Sequence, residues 1–148
     1  MPVNPDFTGT LGPGTLTIGE TGSVLDVSCL VNSAKITPNI TDGDSKTMLC
    51  GTVKRAGDVI DWTLNGNFDV DAGTESGLFA LSWQHIGETV AFVYTPNTEL
   101  GTIVTGTLKL APLELGADNY GDYLASDFEW GLVDFDPATD VVYGVPAP

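Results

Sequence analysis

The stretch Val59-Ile60-Asp61-Trp62-Thr63-Leu64-Asn65-Gly66-Asn67-Phe68 constrains the fold more than any other part of the chain. Ile60, Trp62, Leu64 and Phe68 share one alternating face, interrupted only by Gly66, and Asp61, Thr63, Asn65 and Asn67 fall on the other. Side chains of an extended strand point to opposite faces in turn, so this run predicts a strand over 59–68 with one apolar and one polar face. A sheet wet on one side is characteristically antiparallel. The same period recurs along the chain. Leu16 and Ile18 alternate with Thr15 and Thr17. Leu25, Val27, Cys29 and Val31 oppose Asp26 and Ser28. Val90, Phe92 and Tyr94 alternate over 88–95. Val104, Leu108 and Leu110 oppose Thr105, Thr107 and Lys109 over 102–111, and Phe128, Trp130 and Leu132 oppose Asp127, Glu129 and Gly131 over 127–134. A further short strand is expected at Met48–Val53.

One segment departs from this period. Between Asp69 and Gly87, Phe79, Trp83 and Ile86 share one helical face, as do Leu78, Leu81 and His85. Asp71 is a candidate cap and Gly87 suits the position just past a helix end. The expectation is one helix at about 72–86, with Gly73 and Gly77 weakening its first turns. Residues 37–47 read as a long polar connection, because Pro38 and Gly43 disfavour a regular strand. Residues 1–14, with three prolines and three glycines, read as an N-terminal arm, and 135–148 as a C-terminal tail. The order of elements predicts a mostly-β domain over 15–134: a β-sandwich or partly closed barrel flanked by one α-helix. A chain of 148 residues is long enough for such a core without staples.

Charge excludes some functions. Twenty acidic residues face only Lys35, Lys46, Lys54, Arg55 and Lys109, for a net charge of −15. Tight nucleic-acid binding needs a surplus of Lys and Arg to displace counterions, so it is not expected. Residues 1–6 show neither the basic nor the apolar region of a secretory signal, and no apolar run approaches a membrane span of about 20 residues. No membrane role is expected, and the chain is expected to be made and kept in the cytoplasm, or released by lysis. In that reducing compartment Cys29 and Cys50 are expected as free, buried thiols.

No catalytic constellation is visible. His85 is the one histidine, without a nucleophile and orienting carboxylate in any known pattern, and reads as a structural helix residue. Zinc spacing and a phosphate-binding glycine loop are missing, so neither enzyme nor cofactor is expected. Two acidic clusters, Asp42/Asp44 and Asp134/Asp136/Asp140, could supply oxygens to calcium, but aspartate is an ordinary turn residue and the sequence assigns no metal site. Trp62, Trp83 and Trp130 could form a sugar-stacking platform, yet each sits on the apolar side of its element and reads as core. From these residues a calcium- or carbohydrate-binding sandwich module stays open as an alternative.

The succession Leu49-Cys50-Gly51-Thr52-Val53, Asp61-Trp62-Thr63-Leu64-Asn65-Gly66, Leu81-Ser82-Trp83, Val90-Ala91-Phe92-Val93-Tyr94-Thr95-Pro96-Asn97, Val104-Thr105-Gly106-Thr107-Leu108 and Ser126-Asp127-Phe128-Glu129-Trp130 resembles the major tail proteins of long, non-contractile-tailed bacteriophages. The resemblance covers roughly residues 15–134 and rests on the order of elements. It implies a structural virion protein that forms stacked hexameric rings, joins other tail proteins, and encloses a channel through which DNA passes without specific binding. It further implies assembly in the host cytoplasm and a place in the virion tail. The loop between early strands would bridge rings, making Thr37, Asn39, Ile40, Asp42, Asp44 and Lys46 ring-stacking candidates. Asp61, Asp127 and Glu129, opposite apolar core faces, are the lumen candidates; an acidic wall would repel phosphates. A head decoration or tail-terminator protein would share the pattern.

Overall fold

The computed structural model describes residues 11–19, 24–73 and 75–144. Ten strands and one helix are seen among them: β1 (Thr15–Ile18), β2 (Leu25–Asp26), β3 (Val31–Thr41), β4 (Ser45–Thr47), β5 (Val53–Arg55), β6 (Val59–Asp69), α1 (Leu78–Gln84), β7 (Thr89–Thr95), β8 (Ile103–Lys109), β9 (Ala125–Val133) and β10 (Val141–Val142). The main sheet runs β2-β1-β7-β8-β9-β6-β3, entirely antiparallel, with β10 added to β8. It does not close into a barrel. The only β8–β9 pairs are Thr107 with Val133 and Leu108 with Leu132. At that narrow join the sheet folds into two layers, as the sequence leads one to expect for a sandwich.

The alternating apolar positions fill the space between the layers. Leu16, Ile18, Phe92, Tyr94, Val104 and Leu108 come from one layer and meet Ala34, Leu64, Phe68, Phe128 and Trp130 from the other. Polar groups carried inward are satisfied: the Tyr94 hydroxyl donates to the Ala34 carbonyl at 2.8 Å, and Trp130 Nε1 donates to the Ala111 carbonyl at 3.1 Å. Tyr94 thus ties β7 to β3 across the sandwich.

The span 37–47, expected as a loop, is paired. β3 and β6 form a hairpin in register from Ala34 opposite Gly66 to Thr41 opposite Val59, and β4 and β5 form a smaller hairpin at its end. Pro38 is tolerated because β3 is an edge strand, where a residue without an N–H costs no ladder bond on the open side. Gly43 lets the chain pass the β5–β6 connection, since a Cβ there would lie 1.8 Å from the Ala56 carbonyl oxygen. Conversely, the expected strand at Met48–Val53 is largely the turn of the small hairpin, with Gly51 N bonded to Met48 O.

Other differences have local causes. The helix starts at Leu78 rather than near 72. Asp71 still caps it, but from seven residues upstream, accepting from Leu78 N at 2.8 Å and Phe79 N at 2.9 Å. Residues Val27–Leu30 turn instead of continuing the second strand, which exposes Cys29; Cys50 is exposed as well, at the small hairpin's turn, so neither thiol is buried. The expected tail contains β10, paired with β8. Of the arm expected at 1–14, residues 1–10 lie outside the described residues, while Gly12 N bonds Pro96 O and Thr98 N bonds Pro13 O.

Candidate assembly surfaces

The outer face of the β3-β6-β9 layer is built by the polar half of the alternation. Reading across the strands, Ser33, Asn67 and Asp127 form one row, Lys35, Asn65 and Glu129 the next, then Thr37, Thr63 and Gly131, and last Asn39 and Asp61. All three lumen candidates therefore share one face of one sheet. Of the three, Asp127 is held by an amide, within a network of asparagines. Asn67 Nδ2 donates to Asp127 Oδ1 at 3.0 Å, and Asn32 Nδ2 donates to Asn67 Oδ1 at 3.1 Å and Asp69 Oδ1 at 3.2 Å. Asn65 Nδ2 bonds the hydroxyls of Thr37 at 3.0 Å and Thr63 at 3.2 Å. Asn32 reaches this face because a register irregularity between Val31 and Ser33 inserts it as an extra residue. The face carries Asp61, Asp69, Asp127 and Glu129 against Lys35, so it is acidic, and Asn32, Asn67, Asp69 and Asp127 are tied together by hydrogen bonds, as are Asn65, Thr37 and Thr63.

The second surface is the arm. β9 supports β6 only from Thr63 onward, so Pro38–Thr41 with Val59–Trp62 is a two-stranded ribbon that leaves the body and ends in β4–β5. Along the ribbon the core-facing stripe continues past the core. Trp62 is half-buried against Phe135, with ring centroids 5.2 Å apart, but Ile40 and Ile60, opposite each other, are 60% and 51% exposed. Leu49 at the tip is fully exposed. Of the ring-stacking candidates, Asn39, Ile40, Asp42, Asp44 and Lys46 lie on this arm and Thr37 sits at its root in the row with Thr63 and Gly131; all six are exposed. The sequence pattern placed them in a loop and so hid the apolar stripe, which becomes visible only when the 31–41 register is read against 59–69.

Other candidates are not brought together. Trp130 is buried, Trp62 is half-buried, and Trp83, expected in the core, is about half exposed while stacking on Phe79 at 4.8 Å and donating Nε1 to Leu113 O at 2.6 Å. They form no common platform. His85 lies at the exposed end of α1, 2.6 Å from Glu88 Oε2. Asp136 and Asp140 accept turn amides from Ala138 and Asp136, and among the described residues no three His, Cys, Asp or Glu side chains form a group that could hold a metal ion. Cys50 accompanies Thr52, whose hydroxyl at 3.3 Å and backbone amide hold its thiol below the ordinary range.

A chain from the tail of an empty gene transfer agent particle, determined by helical refinement with C6 symmetry, superposes over 97% of this chain and 100% of its own, with a TM-score of 0.57 and 15% identity. The chain has the fold of a phage-like tail protein. A chain of the native gene transfer agent virion superposes over 88% of this chain and 95% of the other, with a TM-score of 0.52 and 15% identity. No family model and no curated protein matches the sequence. The tail fold accounts for both layers of the sandwich.

Proposed function

We propose that this protein is a tail-tube subunit that assembles with copies of itself into stacked rings. The observation that carries the reading is the pairing of two surfaces on one sheet. An acidic, hydrogen-bonded face lies uncovered on β3-β6-β9, and an arm continues the core stripe of that sheet into solvent. Bare Ile40, Ile60 and Leu49 on a strongly acidic monomer call for a cover, since burying one such side chain stabilises by roughly 1.5–3 kcal/mol. The open edges at β3 and β2 can be paired by neighbouring copies, which would remove exposed strand edges. In this reading Asp61, Asp127 and Glu129 line the channel, Thr37–Lys46 bridge rings, and DNA slides past a wall that repels its phosphates. The sixfold symmetry reported for the gene transfer agent tail supports hexameric rings, placed in the virion tail with other tail proteins. Electron microscopy of the purified protein tests it. Rings or tubes are expected; a monomer at every protein and salt concentration would overturn the reading.

A further inference from the structure

The positive charge of this chain is concentrated at one place. Residues 45–55 contain Lys46, Lys54 and Arg55 and no acidic residue, although the whole chain carries −15; Asp42, Asp44 and Asp58 flank them at the base of the hairpin. Lys46 and Lys54 are directly opposite each other in β4–β5. Like charges so placed destabilise a strand pair. Among the described residues no carboxylate forms an ion pair with either lysine; Arg55 alone has one, with Asp58 at 3.6 Å. The small hairpin therefore keeps a repulsive pair that an external anion would relieve, beside the fully exposed Leu49.

A surface of matching chemistry lies at the other end of the molecule. Residues 112–124 contain Glu114, Asp118 and Asp122 and no basic residue, and they expose Leu115, Tyr120 and Tyr123. Glu114, Leu115, Asp118, Asp122 and Tyr123 line a shallow hollow of about 460 Å³. Both ends of this loop are fastened: Glu114 N to Ser126 Oγ at 3.0 Å, and Leu124 O to Val70 N at 2.9 Å. The loop enters β9 where Ala125 pairs with Asp69, whereas the arm leaves from the Val59 end of β6. The two surfaces are thus separated by roughly 35 Å of strand, too far to meet within one copy.

We infer that the cationic tip of one copy docks on the acidic, tyrosine-bearing 112–124 loop of a second copy, head to tail. This rests on the tail-tube reading and names the surface that receives the arm. Opposite charge orients the contact, and Leu49 with the tyrosines supplies apolar burial. A contact between two different surfaces does not close on itself by a two-fold axis, so it can repeat along a tube.

Charge reversal tests it. Lys46→Glu/Lys54→Glu and Asp118→Lys/Asp122→Lys are each expected to lower end-to-end association on the order of tenfold or more at physiological salt, because like charges then face each other. Mixed in equal amounts, the two variants present complementary surfaces at both contacts, and alternating polymers should return in sedimentation and electron microscopy. Cross-linking reads the same contact without changing its charge at the tip: in Cys29→Ser/Asp122→Cys, mild oxidation should join Cys50 of one copy to the new thiol of the next, giving a ladder of covalent multimers. Variants that stack like the unaltered protein, a mixture that stays unstacked, or a tip that binds duplex DNA without affecting self-association would each overturn the inference while rings persisted. An unaltered protein that never forms rings would instead remove the reading beneath it.

Discussion

Tyr94 joins the two layers with a single phenol. Its hydroxyl is the partner of the buried Ala34 carbonyl, and burial pushes its ionisation above the ordinary value. Tyr94→Phe leaves that carbonyl unpartnered and should cost about 1–2 kcal/mol at neutral pH, read from the urea midpoint. The pH dependence has a definite sign. The folded state keeps the phenol protonated at pH values where the unfolded chain loses the proton, so stability is intact below the unfolded value of about 10 and declines as pH rises from there through the folded value. Tyr94→Phe should lack that part of the alkaline decline; an unchanged alkaline slope would assign it to other groups. Gly66 is a second tight position, where a Cβ would lie 1.8 Å from the Ser33 carbonyl oxygen. Backbone must shift to admit it, so Gly66→Ala should destabilise by about 1–3 kcal/mol in the same measurement.

Among the elements, legibility in the sequence followed burial. β6, β7, β8 and β9 each have one face in the core, and their alternation reads directly: Leu64, Phe92, Leu108 and Trp130 are all buried where the period puts them. The arm escapes the same reading. Its strands are stabilised by pairing with each other rather than by a core, so Ser45–Thr47 and Val53–Arg55 need no apolar period, and Pro38 signals a break that an edge strand does not suffer. The helix starts later than its spacing suggests because Asp71 reaches its cap through a loop, a contact that local spacing does not reveal. The lumen candidates share one face because strand parity carries across a register; the 112–124 loop left no signal except its run of Asp and Tyr. Since residues 42–58 are nearly all exposed, the body should not need them. Replacing 42–58 by Asn-Gly, a turn that suits the Thr41–Val59 pair, should leave the melting temperature within about 3 °C and abolish ring stacking. A large loss of thermal stability would mean that the arm also holds the body together.

At the scale of the whole molecule, charge sets two opposing demands on assembly. Copies carrying −15 repel, and the proposed ring would bring their acidic sheet faces together around one channel. Screening acts over about 8 Å at physiological ionic strength but about 30 Å at 0.01 M, so low salt should hold copies apart and moderate salt should permit rings. Tip-to-loop docking depends on attraction and should weaken again when salt is raised further. Removing charge from the proposed channel face separates the two effects. Asp61→Asn/Asp127→Asn/Glu129→Gln changes three exposed side chains and leaves the arm and the 112–124 loop intact. Rings of this variant should therefore form at lower salt than rings of the unaltered protein, while the high-salt limit of stacking stays where it was. Sedimentation across a salt series reads both limits. A threshold that does not move would place those three carboxylates away from the crowded interior of the ring, and with it the channel on some other face.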